Sequence, residues 1–261
     1  MVITLLTDFG TNDPFAGVMK GVILSLNPTA KIVDLSHEVS PQNLLEAMFK
    51  LKTAYRYFPS GSVHVVVVDL GAGTSRKILC VTTEQFSFLA PDNGILGFLR
   101  EETRITGIYE VSRSQYFLSN ISQTFHDRDI FAPVASYLSL GLGPERLGKK
   151  IPKIQEIRIP PPRVKGARIE GEVICVDRFG NLITNIDAAC FRQYLGGKKF
   201  SLSLGKVKIS HLSSSFGEEK KQEYMAILGS SDYLEIARNH GHAAQSLRAG
   251  TGKKIVVEIS H

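Results

Sequence analysis

The stretch that most constrains this fold is residues 65–68, four consecutive valines that lead directly into Asp69. A continuous β-branched run predicts a strand buried on both faces, as in the middle of a mostly parallel sheet. Turn residues 71–74 and then Arg76 follow it. Ligands of open α/β sheets bind beyond the carboxyl ends of the strands, so Asp69 and Arg76 are candidate site residues. Taken alone, this turn is better explained by a structural role, in which Asp69 caps the turn and Arg76 is solvated on the surface.

Strands and helices alternate through the first part of the chain. Residues 2–7 and 31–35 read as strands, and apolar spacing predicts helices over residues 14–26 and about 42–57. Ser40 is the expected N-cap of the second helix. This alternation indicates an α/β fold with a mostly parallel central sheet.

The pattern of residue types changes after residue 150. Residues 157–162 end in three consecutive prolines, which predicts an extended linker. Short runs of alternating apolar and polar residues follow, as in a mostly β domain. We therefore expect an α/β domain over residues 1–150, a linker over 151–167 and a smaller β domain over 168–261.

Composition excludes several classes of protein. Hydrophobic residues make up 43% and charged residues 21% of the chain, as in ordinary globular proteins, and the apolar runs are too short to span a bilayer. The net charge of +6 comes from short lysine pairs rather than one basic stripe, so nucleic-acid binding is not expected. Three scattered cysteines make no disulfide framework. With no charged segment before the first strand, a cytoplasmic protein is expected.

Several polar residues follow predicted strands. Asp8, Asp69 and Asp92 come after such strands, and Arg76 and His126 lie in comparable loops. Residues 71–74 fit neither a Walker loop nor a dinucleotide fingerprint, so the carboxylates suggest ribose hydroxyls or a cationic ligand. The segment 126–129 contains His126 and two aspartates, but no other metal-ligand motif accompanies it, and its arginine disfavours a cation. We expect a metal-free site.

Six motifs, in their order and spacing, resemble those of the S-adenosyl-L-methionine (SAM) hydroxide adenosyltransferases. These are the SAM hydrolases related to the fluorinase and chlorinase. The resemblance covers nearly the whole chain. The motifs occupy residues 7–10, 69–76, 91–94, 124–134, 177–185 and 229–237.

The resemblance implies a fold and a reaction. It implies an α/β N-terminal domain, a C-terminal β-barrel and a homotrimer with active sites between one subunit's N-terminal domain and a neighbour's C-terminal domain. Water would attack the ribose C5′ of SAM and give adenosine and L-methionine, without metal or cofactor. The family's catalytic Asp-Arg-His triad falls on Asp69, Arg76 and His126.

The resemblance also implies substrate-binding residues in both domains. In the first domain they are Asp8 for the ribose hydroxyls, Asp13 near the methionine end, and the turn residues Asp92 and Asn93. In the second domain they are Asp177 for the methionine ammonium, Ser230 and Ser231 for its carboxylate, and Phe179, Asn181 and Phe216 for adenine, with main-chain contacts near Arg238 and His240. Phe216 is equally well explained as a loop aromatic packed on the barrel.

Three positions depart from the family pattern. Asp127 stands where the family usually has glycine and the halogenases have a serine that helps to hold halide. An extra carboxylate would repel halide or hydroxide unless it pairs with Arg128 or Arg76 or turns outward. Leu70 replaces a frequent proline and Asp232 a frequent glycine.

Two alternatives to SAM hydrolysis remain open. One is a halide-dependent adenosyltransferase, which Asp127 disfavours. The other is a non-catalytic binder of SAM or adenosine, which a carboxylate beside the triad makes plausible.

Overall fold

The computed structural model describes residues 1–69, 71, 74 and 76–260. Leu70, with its expected softening of the turn, lies outside the described residues, as do Ala72 and Gly73 of the glycine-rich turn. The chain divides into two compact units, Met1–Arg158 and Ile159–His261. Residues 151–158 of the expected linker belong to the first unit, where the Gln155 N–H donates to Asp92 Oδ1 over 2.8 Å.

The first unit contains a six-stranded sheet in the order β2-β1-β3-β5-β4-β6. Strands β1, β3 and β5 are parallel neighbours, β2 is parallel to β1, and β4 runs antiparallel to both β5 and β6. The bounds are β1 Val2–Thr7, β2 Lys31–Ser36, β3 Val63–Val67, β4 Ile78–Thr83, β5 Ser87–Pro91 and β6 Ile105–Glu110.

Helices cover this sheet because their apolar residues pack on the valine strand and its neighbours. Val65 and Val67 share one core cluster with Met19 and Ile23 of the first helix and Leu138 of the last. The α-helices are α1 Phe15–Leu26, α2 Leu44–Ala54, α3 Leu99–Glu102 and α4 Ala132–Ser139; short 3₁₀ helices are Tyr55–Tyr57, Ile95–Phe98, Ser114–Tyr116 and Pro144–Leu147. A π-helical turn, Asp127–Phe131, leads directly into α4.

The start of α2 differs from the expectation that Ser40 caps it. Asn43 is the N-cap, and its side chain accepts a hydrogen bond from the Glu46 N–H over 3.1 Å. The Glu46 carboxylate in turn accepts from the Ser40 N–H over 3.1 Å. The Ser40 prediction is wrong because the chain turns once more after Pro41, with Gln42 at φ 64°, before the helix begins.

The second unit is built on a nine-stranded sheet in which β7 pairs with β8 beside the path β11-β10-β15-β8-β9-β14-β13-β12. Neighbouring strands are antiparallel except β12 and β13. Two short helices interrupt the expected run of strands. The bounds are β7 Arg163–Lys165, β8 Arg168–Val176, β9 Leu182–Asp187, α5 Ala188–Leu195, β10 Phe200–Leu204, β11 Val207–Ile209, β12 Leu212–Ser213, β13 Tyr224–Leu228, β14 Tyr233–Arg238, α6 Ala243–Leu247 and β15 Lys254–Ile259.

Across the described part of the chain, none of the helices has the length and apolar character needed to cross a bilayer.

The cap of α2 gives a test of the fold. Replacing Asn43 by alanine should lower the free energy of unfolding by about 1 kcal/mol, because a helix N–H loses its acceptor. Ser40→Ala is the matched control and should change it by less than about 0.5 kcal/mol, as for an exposed residue away from such features. Urea denaturation measures both, and a larger loss for Ser40→Ala than for Asn43→Ala would contradict the assignment.

Candidate functional site

Three carboxylates of the first unit lie just beyond the carboxyl ends of strands, at one edge of the sheet. Asp8 directly follows β1, Asp92 directly follows β5, and Asp69 lies two residues beyond β3. Because these three strands are parallel neighbours, their carboxyl ends meet at the same edge. The Asn93 side-chain amide ties this edge together by donating to the Val68 carbonyl over 2.8 Å. The carboxylates that the sequence places at strand ends are therefore neighbours in the structure.

Asp69 and Arg76 form a nearly buried ion pair at this edge. Their side chains are only 6% and 11% exposed, and Arg76 Nη2 faces Asp69 Oδ2. The Gly71 N–H donates to the other oxygen, Asp69 Oδ1, over 2.8 Å. Removing one partner of such a pair would leave the other as an uncompensated buried charge. The burial of each side chain therefore depends on the other.

The Arg76 side chain is positioned by its neighbours but keeps an unused donor. A Cβ at position 71 would lie 3.0 Å from Arg76 Cγ, so Gly71 allows the close approach. The guanidinium carbon lies 5.9 Å from the centre of the Phe131 ring, within the range of a cation–π contact. Arg76 Nε is buried and has no hydrogen-bond partner among the described residues. This N–H is available to an incoming ligand.

Asp127 brings another carboxylate to the same cluster. It begins the π-helical turn, directly after His126. Burial and the negative charges of Asp69 and Asp8 together raise the pKa of Asp127 to about 7, against the opposing charge of Arg76. Such π-helical turns are frequent at functional sites.

The neighbouring charged residues of this turn are occupied with each other. Arg128 donates to both oxygens of the fully buried Asp129, over 2.6 Å and 3.0 Å, and the Ser122 N–H donates over 2.8 Å. Burial alone would raise the pKa of Asp129, but the hydrogen bonds from Arg128 and Ser122 bring it below its usual range. Arg128 also lies over the Phe125 ring. Arg128 and Arg76 were the two possible partners expected for Asp127. Arg128 is paired with Asp129 instead.

The other residues expected at this site in the first unit differ in how they are held. Asp8 Oδ2 accepts the Gln42 N–H over 2.8 Å, which leaves Oδ1 open. Asp13 is exposed. Within the part of the chain that the structure describes, the His126 ring makes no hydrogen bond, either to Arg76 or to another residue. Asp92 and Asn93 have the contacts given above.

An aromatic cluster flanks the carboxylates. The rings of Phe9, Phe15 and Phe125 meet edge to face, with centroids 5.3 to 6.5 Å apart. Phe9 follows Asp8 in the chain, and Phe125 precedes His126. The sequence analysis gave these phenylalanines no site role, although two of them belong to the quoted motifs.

A cleft of about 840 Å³ opens beside Arg76 in the first unit. Asp92 and Thr74 line it together with the segment from Lys149 to Gln155. Its volume lies within the range of small-molecule sites. Arg76 therefore borders a space that a ligand can enter.

In the second unit, Asp177 and Asn181 form one rigid turn. The Asn181 backbone N–H and its side-chain amide donate to the two oxygens of Asp177, each over 2.8 Å. Each carboxylate oxygen can accept a second donor, so Asp177 can still accept from an ammonium group. Gly180 fits this turn because its φ is 85° and a Cβ there would lie 2.1 Å from His242 Nδ1.

A buried glutamate in the second unit lies beside the expected site residues Asp177 and Ser231, and no role for it was expected from the sequence. Glu235 is 7% exposed, and burial raises its pKa to about 7, with the charge of Asp177 adding to the effect. Ser231 Oγ donates to Glu235 Oε1 over 3.5 Å. Gly229 makes room for it, since a Cβ there would lie 1.8 Å from Oε1. The sequence signal was an acidic residue at the centre of an otherwise apolar strand.

The remaining expected residues of the second unit lie on loops, except Arg238, which ends β14. Phe179 and Phe216 are 77% and 49% exposed, and Ser230 is exposed. Arg238 Nε donates to the Gln222 carbonyl over 2.9 Å, and the His240 carbonyl accepts from the Gln222 amide over 2.6 Å. Asp232 has a φ of 62°, a conformation that glycine favours and aspartate tolerates.

Among the described residues, no group of three or more His, Cys, Asp or Glu side chains is arranged to hold a metal ion.

Comparisons with known proteins agree over both units. Residues 3–148 match the model of the SAM hydroxide adenosyltransferase N-terminal domain, and residues 171–256 match that of its C-terminal domain. An (R)-S-adenosyl-L-methionine hydrolase from Thermus thermophilus is 35% identical, with 97% of this chain and 98% of the relative covered. One from Methanocaldococcus jannaschii is 34% identical over 94% and 91% of the two chains. A crystal structure of a conserved protein from Thermotoga maritima has a TM-score of 0.91 and 38% identity, over 98% of this chain and 99% of the other.

The raised pKa of Asp127 predicts how stability depends on pH. The folded chain binds this proton more tightly than the unfolded chain, whose Asp pKa is near 3.8. The contribution of Asp127 to stability should therefore fall as the pH rises from about 4 to 7 and level off above 7. Asp127→Asn removes the buried charge and should stabilise the protein at pH 8 by up to about 4 kcal/mol, with the gain vanishing below pH 4. Denaturant melts at both pH values test this, and an equal gain at both would contradict it.

Proposed function

Because the chain belongs to the SAM hydroxide adenosyltransferase family, we propose that it hydrolyses S-adenosyl-L-methionine to adenosine and L-methionine. The observation that carries the proposal is the buried Asp69–Arg76 ion pair beside an accessible cleft. Both residues fall on the family's catalytic positions. The relatives are named for the (R) epimer of the substrate, so we expect that epimer to be the better substrate here.

The leaving group determines which catalytic groups are needed. The sulfonium of SAM is already cationic and departs as a neutral thioether, so no acid has to protonate it. The slow part is the delivery of a water oxygen in line with the C5′–S bond, because water is a weak nucleophile until it loses a proton. A fixed guanidinium that stabilises the negative charge developing on this oxygen lowers the barrier.

Arg76 has the features required for this role. Its Nε–H is buried and has no partner in the described part of the chain, and its side chain contacts Asp69 and Phe131. A donor that needs no reorganisation acts more strongly in a water-poor site than in bulk water. We assign Asp69 to orient the guanidinium and the water, and His126 to contact the water from the start of the π-helical turn.

Substrate binding would use the remaining expected residues. Asp8, with one free oxygen, accepts from the ribose hydroxyls, and Asp13, Asp92 and Asn93 surround the substrate. Asp177 accepts from the methionine ammonium, and Ser230 and Ser231 donate to its carboxylate. Phe179, Phe216 and Asn181 hold the adenine, with main-chain contacts near Arg238 and His240.

The expected assembly is part of the same proposal. A homotrimer would bring one subunit's first unit to a neighbour's second unit, and the barrel form of the second unit remains a prediction. The protein is proposed to act in the cytoplasm, without metal or cofactor. Sedimentation of the purified protein gives the oligomeric state.

Asp127 argues against halide as the nucleophile. A small anion entering beside Arg76 would meet the carboxylates of Asp69 and Asp127. Water is neutral and can lose a proton, whereas fluoride or chloride must keep its charge. Like-charge repulsion in a poorly solvated site is strong, so hydrolysis is favoured over halogenation.

The proposal predicts specific products. With (R)-SAM and EDTA in ¹⁸O-labelled water, the protein should form methionine and adenosine that carries one label in its 5′-hydroxyl. Arg76→Lys should lower kcat roughly 10²–10³-fold, the usual cost of removing one stabilising donor. Arg104→Lys, an exposed arginine paired with Glu84, is the matched control and should keep the rate within about twofold.

Other products would identify the rival functions. A 5′-halo nucleoside formed with fluoride or chloride would establish the adenosyltransferase instead. Tight SAM binding with turnover no faster than that of Asp69→Ala would indicate a binding protein. Activity that disappears with EDTA and returns with one metal would contradict the metal-free mechanism.

A further inference from the structure

Asp127 occupies the one position beside the catalytic pair where this chain adds a charged group to the family pattern. We propose, on the basis of the hydrolase function above, that Asp127 accepts the proton that the attacking water loses. The inference makes this carboxylate an additional catalytic residue of the site.

The turn that Asp127 begins packs against the catalytic pair, because its last residue, Phe131, has its ring centre 5.9 Å from the guanidinium carbon of Arg76. The charges of Asp69, Asp8 and Arg76 all act on the Asp127 carboxyl, as does the charge of Asp129 in its own turn. Asp127 therefore lies close to the pair. A water held by Arg76 Nε would lie among these same groups.

The other carboxylates of the cluster are engaged as hydrogen-bond acceptors. The Gly71 N–H and the Arg76 guanidinium occupy the two oxygens of Asp69. Asp8 has one oxygen on the Gln42 N–H. Asp129 accepts three hydrogen bonds from Arg128 and Ser122. Asp127 alone of these four makes no side-chain hydrogen bond to a described residue.

Its surroundings also tune its basicity. Burial and the charges of Asp69, Asp8 and Asp129 stabilise the protonated form, and Arg76 opposes them, which gives a pKa of about 7. On α1, which packs against this turn, Lys20 is paired with Asp34 and supplies no countercharge. An acceptor whose pKa lies near the working pH is the most effective general base.

The step balances without a further reactant. The water oxygen forms a bond to C5′ while the C5′–S bond breaks and its electron pair goes to sulfur. Methionine leaves as a neutral thioether. One water proton moves to an Asp127 oxygen and passes to solvent at the end of the turnover. Arg76 keeps its charge throughout and stabilises the oxygen as the proton departs.

The experiment is the pH profile of kcat and of kcat/KM from pH 5 to 9. We compare the wild type with Asp127→Asn and with Asp127→Gly, the usual residue of the family; circular dichroism checks that each variant is folded. The wild-type kcat should rise with pH around a midpoint near 7. Each variant should lose this rise and fall at least roughly 10²-fold in kcat at pH 8, the lower end of general-base contributions, with KM within about twofold.

Three outcomes would overturn the inference. They are a variant that keeps the wild-type midpoint, one that keeps the wild-type kcat at pH 8, and a change confined to KM, which would make Asp127 a partner of the substrate's positive charge. The two proposals fail separately. If the wild type forms no adenosine, the proposed function is wrong; if it forms adenosine while a variant keeps the wild-type profile, only the role of Asp127 is wrong.

Discussion

The ion pair between Asp69 and Arg76 is the interaction on which the rest of this site depends. A buried pair is stable only when its geometry is fixed and its remaining polar atoms are satisfied. The valine strand fixes one partner, and Gly71 lets the other approach. The buried Nε–H of Arg76 has no hydrogen-bond partner among the described residues. It is an unmet hydrogen-bonding requirement that a water molecule or substrate oxygen can satisfy.

Negative charge exceeds positive charge among the candidate site residues of each unit, although not over the units as a whole. In the first unit, Asp8, Asp69 and Asp127 surround a single arginine. In the second unit, Glu235 is buried beside Asp177. Such clusters cost free energy in an empty protein, because like charges repel and burial disfavours ionisation. A substrate with a sulfonium and an ammonium group would relieve that cost on binding. The chain has a net charge of +6, so this acidity is local to the sites.

Much of the candidate site's edge of the sheet could be predicted from the sequence, because strand burial and βα alternation are local patterns. They placed Asp8, Asp69 and Asp92 at strand ends that the structure shows to be neighbours. Contacts that depend on competition between partners could not be predicted. Arg128 pairs with Asp129 and not with Asp127. Asn43, and not Ser40, caps the helix, because the chain makes one extra turn before the helix begins. The π-helical turn has no periodic signal, and the role of Glu235 depends on Asp177, which lies 58 positions earlier in the chain.

The most direct test of the account is a crystal structure of the protein after soaking with SAM. The central claim is that the substrate's C5′ lies where Arg76 can hold the incoming oxygen. Bound adenosine with its 5′-oxygen within hydrogen-bond distance, about 2.7–3.2 Å, of the Arg76 guanidinium would agree with it. Adenosine or intact substrate whose C5′ lies away from Arg76, with Asp69 and Arg76 making no contact to it, would contradict it.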